Sequence, residues 1–221
     1  MFSLESFHKE YETVTTELVI NGRKFQMLLP KDLTRFINAR DVFHEFPLWA
    51  KIWPASWVLA DFLAEMPVDP TKKIIEIGAG TGLVSIVAAS FGHNITLTES
   101  NPDALLFARA NAQCNGCPQL PILELDWNCS QLRDSVDYIV ASEVAYKKDD
   151  LRALLSLFNR CMKPGGQIFL AGEMRKVSKD FYQQLEIDFN VQVQKKILRS
   201  DGDEIAIYLL RMSRRNPGIK P

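Results

Sequence analysis

Apolar residues recur with two different periods along most of the chain. Between positions 59 and 66 they have helical spacing, and Pro54 suits the first turn of a helix expected to run to about Met66. From Lys73 onward, short apolar runs typical of strands alternate with longer segments of helical period. Strands that alternate with helices predict a parallel sheet with right-handed crossovers and helices on both faces.

Antiparallel pairs are predicted near both ends of the chain. Asn21 and Gly22 separate two strand-like runs, TTELVI and RKFQMLL, and both residues tolerate the positive φ that a type I′ turn requires. A second pair, NVQVQKKIL and EIAIYLLRM, flanks a turn around Asp201 and Gly202. The predicted fold class is therefore α/β, a Rossmann-like, mostly parallel seven-stranded sheet with an antiparallel C-terminal strand and an N-terminal β-hairpin.

Length and charge restrict the kind of protein. The 221 residues suffice for one sizeable core, and 47% of them are hydrophobic. A formal net charge of -1 argues against a nucleic-acid partner, which requires a basic face. Because the sequence shows no signal peptide and no stretch long enough to span a bilayer, we expect a cytoplasmic protein with no membrane partner and with reduced cysteines.

The cysteines do not predict a metal site. Cys114 and Cys117 form a C-x-x-C pair, but Cys129 and Cys161 are the other thiols and do not form a second pair. The Asn-Gly between the first two is typical of a helix end. We therefore expect a helix end followed by a loop, and no bound metal.

Three glycines at alternate positions, Gly78, Gly80 and Gly82, follow the strand KIIEI. A dinucleotide motif, G-x-G-x-x-G, would place its third glycine at Leu83, so the observed G-x-G-x-G argues against NAD. No Lys-Ser/Thr pair follows, which excludes a P-loop. The glycine pattern by itself leaves open a turn that binds no ligand.

Acidic and aromatic residues follow the next three strands. Glu99 ends the second strand at the distance where a carboxylate reaches ribose hydroxyls. Asp126 and Trp127 follow the third, where a short acid can accept from an exocyclic amine and an indole can cover an adenine ring. Glu143 and Tyr146 follow the fourth. The carboxyl ends of parallel strands meet at one edge, so these residues predict a ligand site there.

These motifs resemble the class I (seven-β-strand) S-adenosylmethionine-dependent methyltransferases, whose strand leads into E/D-x-G-x-G-x-G. The closer resemblance, over about residues 45–212, is to the methyltransferase-like branch of protein lysine methyltransferases. It rests on Trp53 at the start of WPASWVLADFL, on the glycine segment EIGAGTGLVSI, on the tripeptide LDW and on the E-x-x-Y after strand four. The sequence departs from that branch at Glu143, where an aspartate is usual.

The resemblance implies S-adenosylmethionine as cofactor, S-adenosylhomocysteine as product and a lysine of a protein as acceptor. Glu143 and Tyr146 are the implied catalytic residues, which position the acceptor amine. The residues implied to bind the cofactor are Trp53, Glu76, Gly78, Ala79, Gly80, Glu99, Asp126, Trp127 and Ser142. Among them, Glu76 is expected to anchor the cofactor's ammonium group, and Ser142 to leave room beside the cofactor.

Two alternatives stay open at this stage, a small-molecule methyltransferase and a non-catalytic scaffold that binds the cofactor. Methylation of adenine in nucleic acid is disfavoured, because the chain has no proline between Ser142 and Tyr146, where such enzymes carry a Pro-Pro pair. The expected organisation is a β-hairpin extension over residues 1–44, the methyltransferase domain over 45–212 and a basic tail over 213–221. The substrate and the oligomeric state do not follow from the sequence.

Overall fold

The computed structural model describes residues 2–37, 46–128, 135–144, 148–173, 185–200 and 203–215. Helices and strands follow each other in the predicted alternation from residue 54 onward. The helices are α1 (Leu4–Glu10), α2 (Pro54–Glu65), α3 (Leu83–Ser90), α4 (Pro102–Cys114) and α5 (Lys148–Cys161). The strands are β1 (Thr13–Ile20), β2 (Arg23–Pro30), β3 (Lys73–Ile77), β4 (Asn94–Glu99), β5 (Ile122–Glu124), β6 (Val136–Ser142), β7 (Met162–Glu173), β8 (Phe189–Ser200) and β9 (Asp203–Arg214).

The central sheet has seven strands in the order β5-β4-β3-β6-β7-β9-β8. The strands from β5 to β7 are parallel, whereas β9 runs antiparallel to both β7 and β8. The predicted sheet is thereby confirmed. The chain builds outward from β3 to β5 and then returns to place β6 on the other side of β3. This reversal between β3 and β6 is the point where open α/β sheets bind ligands.

Alternate residues of each strand face opposite layers of helices, as a period of two requires. Ile74 of β3 belongs to a core that includes Leu59 of α2 and much of α3. The next residue, Ile75, belongs to a second core with Leu154 and Phe158 of α5. Burying a side chain of this size stabilises the fold by about 1.5–3 kcal/mol, so the sheet is held on both faces, as predicted.

The N-terminal hairpin forms the separate two-stranded sheet that the Asn-Gly pair predicts. Asn21 and Gly22 both have positive φ, 44° and 76°, and β1 pairs with β2 without a break in register. Ile20, Phe25 and Met27 of the hairpin are buried in the same core as α2. The hairpin therefore packs against the central domain.

Helix α1 was not predicted from the sequence. Its seven residues are too few for a periodic pattern, and Ser3 accepts a hydrogen bond from the N–H of Ser6 at its start. Phe7 of α1 packs edge-on against Phe107 of α4, with ring centroids 4.9 Å apart. Tyr11 follows, 5.2 Å from the same ring. Contacts with α4, distant in sequence, thus stabilise this helix.

The helix end predicted between the paired cysteines is observed. Helix α4 ends at Cys114, Asn115 is its C-cap, and Gly116 has a φ of 71°. Cys114, Cys117 and Cys161 are free thiols. Within the described ranges, we find neither a helix long and apolar enough to cross a bilayer nor a cluster of His, Cys, Asp and Glu suited to a metal ion. The predicted turn at Asp201-Gly202 lies outside those ranges.

Candidate functional site

A cleft opens at the carboxyl ends of β3, β4 and β6, at the reversal in strand order. Its walls bring together eight of the eleven side chains or backbone segments singled out from the sequence. They are Trp53, Gly78, Ala79, Gly80, Glu99, Trp127, Ser142 and Glu143. Of the other three, Glu76 and Asp126 do not line the cleft, and Tyr146 lies outside the described residues.

The glycine loop, Gly78 to Gly82, follows β3 directly, and its three glycines all have a left-handed backbone. A Cβ on Gly78, whose φ is 63°, would lie 3.2 Å from the Trp127 ring. A Cβ on Gly80, whose φ is 54°, would lie 3.2 Å from the carbonyl oxygen of Trp49. Residues with side chains adopt this backbone conformation at a cost of about 1–2 kcal/mol. Any other residue at either position would therefore strain the backbone and crowd its neighbours.

Glu99 connects the end of β4 to the glycine loop. Its Oε2 accepts a hydrogen bond of 2.8 Å from the N–H of Gly80, and its Oε1 accepts from the N–H groups of Ser100 and Asn101 at 2.8 and 3.0 Å. A carboxylate has about four acceptor positions, and N–H donors stabilise its charged form. Within the described structure, Gly80 is the one partner of Oε2, which leaves that oxygen able to accept from a ligand hydroxyl.

Glu76 has a different environment from the one expected. Its Oε2 accepts from the N–H of Ser85 at 2.9 Å and from the Ser85 hydroxyl, in the first turn of α3. The side chain is buried, and burial is the main cause that raises its pKa from 4.5 to about 8. The described contacts of Glu76 thus lie beneath the glycine loop, and its role toward a cofactor ammonium stays a prediction.

Asp126 is exposed beside the cleft. Its Oδ1 accepts from the N–H and the side-chain amide of Asn128, at 2.8 and 3.1 Å, in a tight turn. These bonds fix the direction of the chain just after Trp127. The predicted contact between Asp126 and an adenine amine therefore stays a prediction.

The two tryptophans of the cleft are held differently. Trp53 is the N-cap residue of α2, and its Nε1 donates to the carbonyl oxygen of Leu48 at 2.8 Å. Trp127 packs against Gly78 and the core beneath α5. Its Nε1 is buried and has no hydrogen-bond partner in the described part of the chain. An unpaired buried donor costs about 1–3 kcal/mol, which a ligand acceptor at this point would offset.

Glu143 occupies the end of β6 with a backbone that is uncommon for its residue type. Its φ is 50°, in the left-handed region. Its N–H donates to the carbonyl oxygen of Ala171 at 3.0 Å, and its Oε1 accepts from the N–H of Glu173 at 2.8 Å. Backbone and side chain together therefore join the ends of β6 and β7, next to Ser142 in the cleft wall. Left-handed residues of this kind concentrate at functional sites.

Sequence reasoning missed the wall opposite the glycine loop, formed by residues 46–52. Trp49 lies in the 3₁₀ turn Leu48–Ala50, and its ring lies 5.1 Å from Phe36 and 5.4 Å from Phe107, between centroids. Lys51 places its Nζ 4.8 Å from the centroid of the Trp53 ring. Periodicity could not find this wall, because a short turn has none. The density of aromatic residues in FPLWAKIW was the available signal.

The sequence over residues 45–188 matches the model of a protein family described as lysine methyltransferase. The chain belongs to this family. The match spans the cleft from Phe46 to Glu143 and includes every described residue predicted to bind a cofactor.

Two relatives of this chain are informative. A Xenopus tropicalis protein named EEF1A lysine methyltransferase 3 is 28% identical over 164 residues, which cover 72% of this chain and 73% of the relative. The Mus musculus protein N-lysine methyltransferase METTL21A is 30% identical over 181 residues, or 78% of this chain and 81% of the relative.

Solved structures support the fold. The structure of precorrin-6y C5,15-methyltransferase from Geobacter metallireducens GS-15 superposes with a TM-score of 0.58 at 19% identity, covering 82% of this chain and 95% of that one. At this identity the likeness concerns architecture alone. The seven-stranded α/β architecture predicted from the sequence therefore also occurs in a solved protein structure.

The residues of the cleft fit a cofactor that contains a nucleoside. The glycine loop lines the cleft, Glu99 can accept from hydroxyls, and Trp127 has an indole N–H without a partner in the described structure. This donor and acceptor set matches a ribose and a base.

Proposed function

We propose that this chain is an S-adenosylmethionine-dependent methyltransferase that methylates a lysine amine of a protein substrate. One observation carries the proposal: the carboxylate of Glu99 is bonded to the glycine loop at the reversal in strand order, within a chain of the lysine methyltransferase family. The relatives named above are protein lysine methyltransferases by name, which supports a protein as the substrate.

The residues that would hold the cofactor lie on three elements. Oε2 of Glu99 has acceptor capacity for ribose hydroxyls, and Gly78 to Gly80 line the cleft where the methionine part would lie. Trp127, in the cleft wall, would cover the base. When bound, S-adenosylmethionine supplies a methyl group on a sulfonium, which is already activated for displacement. The protein therefore contributes mainly alignment of the acceptor.

The acceptor amine must lose a proton before it can react, because a free lysine has a pKa of about 10.4. A nearby carboxylate raises that pKa, whereas desolvation lowers it. Glu143 is therefore suited to orient the amine and not to act as a strong base. Its carboxylate is fixed by the N–H of Glu173, so a bound amine would meet an oxygen at a defined position. Tyr146 would supply a ring wall and a hydroxyl beside it.

Two experiments test this proposal. Calorimetry with S-adenosylmethionine and S-adenosylhomocysteine should show binding of both, and binding of NAD in their place would reject the cofactor assignment. A cell lysate incubated with the protein and radioactive S-adenosylmethionine should then yield label that protease digestion releases and nuclease does not. Amino-acid analysis of the labelled protein should recover methylated lysine.

The same labelling separates the remaining functions. Label in a new small molecule that chromatography separates from S-adenosylmethionine would indicate a small-molecule methyltransferase. Cofactor binding with no transfer to any fraction would indicate a scaffold. Label in methylated arginine would keep the methyltransferase and reject lysine as the acceptor. The Gly80→Val protein, expected to lose the cofactor, serves as the blank for every fraction.

A further inference from the structure

Asn111 of α4 and Asn115, the C-cap of that helix, bond to the edge of β2 that faces away from β1. Oδ1 of Asn115 accepts from the N–H of Gln26 at 2.9 Å, and its Nδ2 donates to the Gln26 carbonyl oxygen at 2.8 Å. Oδ1 of Asn111 accepts from the N–H of Leu28 at 2.6 Å, and its Nδ2 donates to the Leu28 carbonyl oxygen at 3.2 Å. Each amide therefore pairs with one residue of β2 as a neighbouring strand would.

This pairing follows from the dimensions of the two elements. Four residues of a helix rise about 6 Å, and two residues of an antiparallel strand rise about 7 Å. Side chains one helical turn apart can thus match alternate residues of a strand. Asn111 and Asn115 thereby form hydrogen bonds with backbone groups at the edge of β2. Without them, these groups would need hydrogen bonds from water or from another chain.

Asn111 makes one contact that Asn115 does not. Its Nδ2 also donates to the carbonyl oxygen of Thr81 at 3.0 Å. Thr81 lies between Gly80 and Gly82 and lines the cleft, and Asn111 is fully buried. A single buried amide thus bonds both to the N-terminal hairpin and to the glycine loop.

We infer that Asn111 is a positioning residue for the cofactor site, which couples the docking of the N-terminal hairpin to the conformation of the glycine loop. The inference rests on the proposed function, because the glycine loop is taken to hold S-adenosylmethionine. Residues before position 45 lie outside the region that matches the family. Asn111 nevertheless links Leu28, in this N-terminal part, to Thr81 of the glycine loop, which lies inside the matched region.

The matched pair of variants is Asn111→Ala and Asn115→Ala. Both remove an amide pair from β2, and both should lower the melting temperature. Only Asn111→Ala removes the bond to Thr81. We expect it to weaken S-adenosylhomocysteine binding by about tenfold or more, measured by calorimetry at a temperature where both proteins are folded. Asn115→Ala should stay within about twofold of the wild type.

Hydrogen exchange of the wild-type protein tests the same coupling without a mutation. Coupling between two sites is reciprocal, so a ligand that fixes the glycine loop should also strengthen docking at Leu28. Saturating S-adenosylhomocysteine should therefore slow exchange of the Leu28 N–H more than that of the Gln26 N–H. This comparison decides the matter if Asn111→Ala does not fold.

The outcomes are distinguishable. Equal affinities in the wild type and both variants, or equal losses in both variants, would overturn the role of Asn111, and so would equal protection at Leu28 and Gln26. Failure of the wild-type protein to bind S-adenosylhomocysteine would instead reject the proposed function, and this inference with it.

Discussion

In the half of the cleft that we propose to hold the cofactor (the cofactor half), formed by the glycine loop and the end of β4, Glu99 receives hydrogen bonds from three backbone N–H groups. In the half that we propose to receive the acceptor (the acceptor half), at the ends of β6 and β7, the side chain of Glu143 bridges two strands from a left-handed backbone position. The first half depends on the path of the backbone, and the second on the length and charge of one side chain. Substitutions should therefore affect cofactor binding and methyl transfer separately.

The largest effect is expected for Gly80→Val in the cofactor half. Its φ is 54°, and the added Cβ would lie 3.2 Å from the carbonyl oxygen of Trp49, so the loop must move. Calorimetry should detect no S-adenosylmethionine binding. Gly165→Val is the matched control, because Gly165 has a φ of 76° and nothing within 4 Å of its missing Cβ. Normal binding by a folded Gly80→Val protein would remove the loop from the site.

A comparably sharp effect, on rate and not on binding, is expected in the acceptor half. Glu143→Gln keeps an oxygen that can accept from the N–H of Glu173, so the fold should persist while the charge is lost. Misplacing an acceptor by about 1 Å can reduce the rate about a hundredfold. We therefore expect Glu143→Gln and Tyr146→Phe to lose most of their single-turnover rate with near-normal cofactor affinity.

These two variants could instead fail because of instability. In that case melting temperature, cofactor affinity and turnover would fall together. Measuring all three quantities on the same preparations separates the two explanations. Full turnover by folded Glu143→Gln and Tyr146→Phe proteins would contradict the assignment of these residues to the acceptor half.

Glu99→Ala should reduce cofactor affinity by about ten- to a hundredfold. It removes a charge-assisted acceptor worth about 1.5–3 kcal/mol and frees the N–H of Gly80. Glu124→Ala is the matched control, since Glu124 of β5 stands beside Glu99 in the sheet register but is exposed. Equal dissociation constants for the two variants would show that Glu99 does not contribute to binding.

The last effect acts on stability as a function of pH, and not on binding or rate. Because the pKa of Glu76 is raised from 4.5 to about 8, the folded state holds a proton there that the unfolded state releases. Stability should therefore fall as pH rises through this window, by at most about 1.4 kcal/mol per pH unit, and level off above it. Glu76→Gln, which can still accept from Ser85, should lack this slope in urea unfolding between pH 5 and 9. Parallel pH profiles would contradict the protonated state.

The sequence predicted those parts of the fold that local patterns determine. The order of strands and helices from α2 to β7, the antiparallel C-terminal strand and the Asn-Gly hairpin follow from periodicity and turn chemistry, and the structure confirms them. Helix α1 did not follow, because its stability comes from packing against Phe107, about a hundred positions away. The spacing of apolar residues along the chain does not reveal contacts between residues that are distant in sequence.

The candidate site was predictable to the extent that it lies at strand ends. Gly80, Glu99, Trp127 and Glu143 meet at one edge because parallel strands end there. The direction of each side chain was not predictable. Glu76 directs its described hydrogen bonds to Ser85, and Asn111 spans two distant segments. Both depend on partners that come together only in the folded chain.

The position of β9 constrains the order of events during synthesis. Strand β8 is made before β9, yet its only neighbour in the described sheet is β9, which lies between it and β7. As the chain leaves the ribosome, β8 has no partner until Asp203–Arg214 has emerged. Until then Leu209, Leu210 and Met212 are also missing from the two cores. Both helical layers therefore reach their final packing only after this strand inserts. Until then the nascent chain exposes apolar surface and an unpaired strand edge, which favour aggregation.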